Sequence, residues 1–345
     1  MCSGQLHRHD RDSAYFLFKF TSKALAVQWF KSHLSPLDHH CESNLAPFST
    51  PLPSVSERFF HATTIDPMKS KPLIALNVLI LLTLGVCQAA TLRSEHAIVV
   101  SDDTGQVLLS KGSDAIVPIA SLTKLMTAMV VLDSKPDMDE SISIQASDVD
   151  VLKHSKSHVP VGTTLKRREI FELALMSSDN RAAASLARTY PGSTDAFLRA
   201  VQEKIKALGL HDTTIKEPTG LSPENTSSAA DLAKMAQAAA QYPKIVNTTT
   251  DKSEVIRMNG RPFTVNNTNR LVGAAGWDVL LSKTGFTNEA GHCLIMRIKQ
   301  AGSHATLVLL NAGANSIRLR DAAQIRQYLA GPRALWVHDH QYALR

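Results

Sequence analysis

The chain has 345 residues, 44% of them hydrophobic, 20% charged and 6% aromatic, the proportions of a globular protein rather than a fibrous or low-complexity one. Its 37 basic and 31 acidic residues leave a formal net charge of +6 spread along the sequence, without a Lys/Arg run of the kind that makes a nucleic-acid-binding arm, so no nucleic-acid partner is expected. The four cysteines, Cys2, Cys41, Cys87 and Cys293, match no zinc or redox spacing.

Residues 1–67 carry scattered His and Pro and a run of aromatics at Tyr15, Phe16, Phe18 and Phe20 with no sustained period, and they are expected to be disordered. Met68-Lys69-Ser70-Lys71 then opens an apolar stretch over 73–87 that exits through Gln88-Ala89-Ala90. A short basic head, an apolar core of ~15 residues and a small-residue exit are the parts of a secretory signal, and the core is shorter than the ~20 residues a membrane span needs. The expected organisation is therefore an upstream extension at 1–67, a signal peptide at 68–89, a catalytic domain at 90–331 and a short tail at 332–345. The extension is read as a start assigned too far upstream, with a genuine extension of unknown role as the alternative. Leu84-Gly85-Val86-Cys87 bears a partial likeness to a lipoprotein acceptor site, but Val86 is bulky there, and no stable membrane anchor is expected. Export with cleavage after Ala89 leaves Cys293 as the one cysteine of the mature chain, so no internal disulfide is expected.

After Ala90 the pattern predicts a hairpin, with strands at 97–100 and 107–109 around Asp102-Asp103-Thr104-Gly105. The run 121–133 is apolar nearly all round, the signature of a helix buried on most faces. Further helices are expected at 167–176, 182–190, 195–208, 229–240 and 317–329, and strands at 279–283, 292–298 and 305–310. Strands at both ends with a helical block between them predict a mixed α/β fold, in which one antiparallel sheet is assembled from N- and C-terminal pieces.

Three short motifs carry the chemistry. In Ser121-Leu122-Thr123-Lys124, residues three apart at a helix start share a face, so the Lys124 amine reaches the Ser121 hydroxyl. Serine becomes a competent nucleophile when a base takes its proton, and lysine serves as that base only when burial or nearby positive charge lowers its pKa. Lys124 sits in a run that is otherwise almost wholly apolar, and a charge held away from solvent is usually functional or paired. Ser178-Asp179-Asn180 follows a helix and on its own reads as a helix-ending turn. Lys283-Thr284-Gly285 closes an apolar strand and is unremarkable on its own.

Ser-x-x-Lys, Ser-Asp-Asn and Lys-Thr-Gly in that order are the signatures of penicillin-binding proteins and class A β-lactamases. Together with the flanking stretches Pro118-Ile119-Ala120-Ser121, Ala174 through Ala184, Glu217-Pro218-Thr219-Gly220-Leu221 and Lys283 through Leu294, they make residues ~90–330 resemble the low-molecular-mass penicillin-binding proteins, which are serine D-Ala-D-Ala peptidases of the β-lactamase/transpeptidase-like fold. The resemblance implies that Ser121 attacks a D-alanyl carbonyl to form an acyl-enzyme, with Lys124 as general base. It implies that Ser178 relays a proton to the leaving amine and that Asn180 orients Lys124 and the substrate amide. Lys283 then holds Ser178 electrostatically, Thr284 binds a substrate or β-lactam carboxylate, and Gly285 lets the substrate backbone approach the strand. The backbone N–H groups of Ser121 and Phe286 form the oxyanion hole. No metal or organic cofactor is implied. The implied partners are peptide cross-links of peptidoglycan as substrate and β-lactams as covalent inhibitors, in a periplasm reached through the signal starting at Met68.

Within that family the flanking sequence lies nearer the endopeptidases, which cut D-alanyl–diaminopimelate cross-links, than the carboxypeptidases, which typically add a β-rich domain and an amphipathic anchor for which the chain after Leu329 has no room. A class A β-lactamase needs a Glu-x-x-Leu-Asn water-activating motif; Glu217-Pro218-Thr219-Gly220-Leu221 lacks the Leu-Asn, so slow β-lactam hydrolysis is expected. A non-catalytic wall-binding protein would have lost Ser121 or Lys124. His292 and Cys293 could suggest a thiol peptidase, but neighbours on a strand point to opposite faces and Cys293 reads as a core residue. His154 and His158 would share a helix face as metal ligands, yet no third ligand accompanies them, and a solvated loop is the reading taken.

Overall fold

The computed structural model describes residues 91–331; the expected upstream extension at 1–67, the expected signal peptide at 68–89 and the tail at 332–345 lie outside the described residues. The expected hairpin is present as β1 (His96–Ser101) and β2 (Val107–Lys111), followed by the two-residue β3 (Val117–Pro118). A 3-10 turn over Ala120–Leu122 leads into α1 (Thr123–Asp133). Next come β4 (Ser141–Ser143), β5 (Thr164–Lys166), and the helices α2 (Arg167–Leu175), α3 (Asn180–Arg188) and α4 (Ser193–Ala207). The chain continues through β6 (Thr226–Ser227), α5 (Ala229–Ala239), α6 (Pro243–Thr250) and the hairpin β7 (Ser253–Met258) and β8 (Arg261–Asn266). It ends with β9 (Asp278–Thr287), β10 (Gly291–Gln300), β11 (Ser303–Ala312) and α7 (Asn315–Ala330).

The main sheet has the order β2-β1-β11-β10-β9, all antiparallel, so its N-terminal pair and C-terminal trio meet at β1 and β11 as expected from the sequence. Both faces are covered, which explains why the central strands read as unbroken apolar runs. Successive side chains leave a strand on opposite sides. Ala97, Val99, Leu294, Met296, Leu307 and Leu309 accordingly pack with Ala322, Ile325 and Leu329 of α7. Ile98, Val100, Ile295, Val308 and Leu310 point the other way, into the larger core under the helical block. Asp321 ties the terminal helix to the start of the described chain: its buried carboxylate accepts from Ser94 N and Ser94 Oγ, each at 2.6 Å. α1 runs through the larger core with Thr123 to Val131 all buried, the all-round burial its composition predicted.

Three features depart from the sequence expectations. Helix α1 starts at Thr123, so Ser121 occupies the preceding 3-10 turn rather than the helix itself. Strand β9 runs on to Thr287, which puts Lys283-Thr284-Gly285 inside the strand rather than at its end. The β7–β8 hairpin and α6 were not anticipated. The hairpin turns on Asn259-Gly260, both with positive φ (51° and 75°), the backbone of a tight two-residue turn that Asn-Gly favours. Among the described residues, no helix is long and apolar enough to cross a membrane.

Candidate active site

Ser121 stands at the head of α1 because two segments press on the turn before it. Ala120 carries φ of 47°, a left-handed backbone that costs a residue with a Cβ free energy and marks a constrained turn. Gly220, at φ 84°, lies so close that a Cβ there would meet the Ala120 carbonyl oxygen at 1.9 Å. On the other side a Cβ at Gly285 would sit 3.1 Å from Ile119 O, Ala120 Cβ and Ser121 N, so β9 passes directly against the serine. Both glycines therefore serve close approach, and Gly220 additionally needs its positive φ.

Lys124, one turn on, is 1% exposed. Its Nζ lies 2.9 Å from Ser121 Oγ, 2.6 Å from Asn180 Oδ1 and 2.7 Å from the Thr219 carbonyl oxygen. Two of these three neighbours only accept hydrogen bonds, and the third is a hydroxyl. A neutral amine satisfies the set completely, with two N–H groups for the carbonyl oxygens and a lone pair for the Ser121 proton. Burial lowers the Lys124 pKa to about 8, against the opposing pull of the carboxylates of Glu217, Asp179 and Asp150.

The Ser178–Asn180 turn is fixed from below. Asp179 caps α3, accepting from Ala182 N at 2.9 Å and from Ser157 Oγ at 2.8 Å. Asn180 opens the helix with its amide split between Lys124 and Ser155, donating to Ser155 Oγ at 2.8 Å. Ser178 is held at φ 60°, and its Oγ accepts from Lys283 Nζ at 2.8 Å.

Lys283 projects from β9 and is also 1% exposed. Besides Ser178 it donates to the Thr284 carbonyl oxygen at 2.9 Å. Burial holds its pKa well below the ordinary lysine value, and the nearby cations Lys124 and Arg318 push the same way. Thr284 Oγ1 lies 2.7 Å from Thr268 Oγ1, and Phe286, 54% exposed, stacks on His292 with ring centroids 4.4 Å apart.

The structure thus gathers all eight residues singled out from the sequence, Ser121, Lys124, Ser178, Asn180, Lys283, Thr284, Gly285 and Phe286, around one cleft between the helical block and β9. It adds others that no motif signalled. Ser155 reaches Asn180, and Thr268 reaches Thr284. Arg318 of α7 donates to the Cys293 carbonyl oxygen at 2.7 Å and contributes positive charge near Lys283 and His292. The Thr219 carbonyl is held by Glu217, whose carboxylate accepts from the backbone N–H of Thr219, Gly220 and Leu221 at 2.7, 2.6 and 2.9 Å. The stretch Glu217 through Leu221 carries part of the family resemblance, but no role for the Glu217 carboxylate follows from it. Cys293 is fully buried, its thiol pushed up to about 11 by burial, while its neighbour His292 turns to Phe286, so the two do not form a reactive pair. His154 and His158 lie in an irregular segment, not on a helix, and His158 packs toward Phe263.

A family model for D-alanyl-D-alanine carboxypeptidases matches residues 85–314. The chain is 46% identical over 240 residues to a D-alanyl-D-alanine endopeptidase of Pseudomonas aeruginosa, covering 69% of this chain and 77% of that one. It is 41% identical over 238 residues to a D-alanyl-D-alanine endopeptidase of Escherichia coli, covering 68% and 77%. Among solved structures, the Streptomyces K15 DD-transpeptidase superposes with a TM-score of 0.65 at 26% identity over 69% of this chain and 97% of that one.

Proposed function

The chain belongs to the D-alanyl-D-alanine carboxypeptidase family of serine peptidases, and on that premise we propose that it is a DD-endopeptidase that opens D-alanyl cross-links of peptidoglycan in the periplasm through an acyl-enzyme on Ser121. The observation that carries this reading is the Lys124 amine, buried, lowered to about 8, and placed 2.9 Å from Ser121 Oγ with its two other contacts taken by carbonyl oxygens.

In the first step the Ser121 proton passes to Lys124 and Oγ bonds to the D-alanyl carbonyl carbon. The negative charge on the carbonyl oxygen is met by the backbone N–H groups of Ser121 and Phe286. The carbon–nitrogen bond then breaks, the departing amine taking a proton from the Lys124 side by way of Ser178, and the acyl group stays on Ser121. Water attacks the ester, Lys124 again receiving a proton, and frees the shortened peptide. Lys283 is held low by burial and by two neighbouring cations; a substrate carboxylate received at Thr284 favours its charged form, so binding itself tightens the Lys283–Ser178 link.

β-Lactams enter the same path and stop at the acyl-enzyme. Glu217 is the carboxylate that acts most strongly on Lys124, yet its oxygens are engaged by three successive backbone N–H groups and by Asn225 Nδ2 at 3.0 Å. It is committed to shaping its loop and is not free to activate a deacylating water, in accord with the slow β-lactam hydrolysis expected from the sequence. The endopeptidase reading is supported by the two relatives above. The test is incubation of the protein with cross-linked muropeptide dimers and with monomeric pentapeptides, beside Ser121→Ala. Conversion of dimers to monomers only when Ser121 is present is the expected result. Loss of terminal D-alanine from monomers with dimers intact would make it a carboxypeptidase.

A further inference from the structure

An ion pair joins the two walls of the cleft. Lys153, in the segment between β4 and β5, pairs with Glu289 in the turn between β9 and β10. Both residues are exposed, so the pair is open to a ligand and, in solvent, holds little energy of its own. Its place is nevertheless fixed from both sides. The Asp150 carboxylate folds the Lys153 segment by accepting from the backbone N–H groups of Leu152, Lys153 and Ser155 at 2.8, 3.1 and 2.7 Å. Ser155 Oγ then ties that segment to Asn180 at 2.8 Å. On the other wall, Glu289 follows Phe286 by three residues, just past the end of β9. The same two segments also carry the exposed apolar side chains Val151, Leu152 and Phe286.

On the reading above, the leaving residue sits at Thr284 and the scissile carbonyl oxygen at the N–H of Phe286. The acyl half of the substrate therefore leads away from Thr284, past Phe286, toward the turn that holds Glu289. In a cross-link that half is itself a stem peptide. Its diaminopimelate, next to the scissile D-alanine, has an aliphatic side chain that ends in an ammonium and a carboxylate on one carbon. We propose that Lys153 and Glu289 together read this end of the acyl stem, Lys153 taking its carboxylate and Glu289 its ammonium, with the exposed apolar side chains of the same two segments against its aliphatic part. A ligand with a single charge fits the pair poorly: a cation drawn to Glu289 is repelled by Lys153, and an anion drawn to Lys153 is repelled by Glu289. A zwitterion gives each side chain a new partner. The pair thus selects stems whose side chain carries both charges and disfavours those that end in an amine alone. What binds at Lys153 also bears on the chemistry, since its segment holds Asn180, which accepts from Lys124 Nζ at 2.6 Å. The inference rests on the proposed endopeptidase reading and on the assignment of Thr284 to the leaving side.

The experiment uses synthetic cross-linked dimers that differ only in the acyl stem. That stem carries diaminopimelate, diaminopimelate with its side-chain carboxylate amidated, or lysine; benzylpenicillin, which has no ammonium group, is the reference. Wild type is expected to cut the diaminopimelate dimer with a kcat/KM about tenfold or more above the other two. Lys153→Met should erase this preference, leaving the three dimers within about twofold of one another. Glu289→Gln should lower all three dimers severalfold relative to penicillin acylation, because each carries the ammonium. Equal cleavage of the three dimers by wild type overturns the proposal and leaves the endopeptidase reading intact. A preference that survives in Lys153→Met overturns it as well. Parallel losses on dimers and penicillin in both variants, restored when Lys153→Glu and Glu289→Lys are combined, would make the pair a structural tie between the walls and also overturn the proposal. A wild-type protein that is acylated by penicillin yet leaves every dimer uncut removes the endopeptidase reading itself, and the reading of the acyl stem with it.

Discussion

The two walls of the cleft each contribute one fully buried lysine, and the two are held in opposite electrical surroundings. On the helical wall, Lys124 is desolvated but lies in reach of the carboxylates Glu217, Asp179 and Asp150, so its pKa comes to rest at about 8. On the strand wall, the charged groups that act on Lys283 among the described residues are the cations Lys124 and Arg318, and both push its pKa down with the desolvation. The difference separates their roles. On the proposed reading Lys124 stays near the operating pH, where a general base is most effective, with two of its contacts taken by carbonyl oxygens and the third made to Ser121. The charges that act on Lys283 are of its own sign, so an anion bound beside it would favour its charged form.

The sharpest way to break this comparison is to remove each lysine in turn. Ser121→Ala should abolish acylation by a fluorescent penicillin outright. Lys124→Met should slow it by ~10²–10⁴-fold, the usual worth of a general base, and Lys283→Met by less, with the larger part of its loss in ligands that carry a carboxylate. The reverse order of the two lysine variants would assign the base to the strand wall.

A second set of variants probes how the walls are pressed together. Gly220→Ala places a Cβ 1.9 Å from the Ala120 carbonyl oxygen at φ 84°, whereas Gly285→Ala meets its neighbours at 3.1 Å without a positive φ. Thermal denaturation should therefore show a loss of several degrees for Gly220→Ala, and a smaller one for Gly285→Ala. Both should slow acylation, because both displace Ser121; a Gly285→Ala protein as active as wild type would contradict the close contact of the walls.

Stability against pH offers a smaller and independent check. The Lys124 pKa is lower in the folded chain, about 8, than its ordinary value of 10.5. Below pH 8 the amine is charged in both states, and the folded state bears the full penalty of burying it. Between about 8 and 10.5 the unfolded chain binds more protons, so this residue makes stability rise with pH, by up to about 3 kcal/mol in all. Between pH 7 and pH 10, urea denaturation should show Lys124→Met gaining less stability, or losing more, than wild type. Glu217→Gln should act more finely still. It removes the largest opposing charge, so the Lys124 pKa should fall below its present value and the acylation profile should move toward lower pH.

Much of this arrangement could be read before any coordinates. The order of strands and helices and the burial of α1 follow from apolar patterning, and the three motifs lie on one cleft because the fold brings the head of α1, the head of α3 and the middle of β9 together. What could not be read depends on contacts between distant segments. Nothing local marks Thr268 as the partner of Thr284, or Ser155 as the partner of Asn180. Gly220 looks like an ordinary loop glycine until Ala120 is seen against it. The Asn259-Gly260 turn between β7 and β8 was legible by its residue types, but β7 exposes Ser253, Glu254, Val255 and Arg257 and buries only Ile256 and Met258, which weakens the alternation that would mark a strand. The extent of β9 past Lys283 was hidden for a related reason, since Thr284 and Gly285 are poor local signals for a strand that the pairing with Leu294 and Cys293 enforces.

The claim that Lys124 is the base for Ser121 is tested most directly by the second-order rate constant for acylation by a fluorescent penicillin, measured from pH 6 to pH 10, because that constant reports ionisation in the free enzyme. The expected result is a rate that climbs with pH, is half-maximal near pH 8, where half of the buried amine has given up its proton, and levels off about one unit above. A rate indifferent to pH across this range, or one that declines through pH 8, would contradict it.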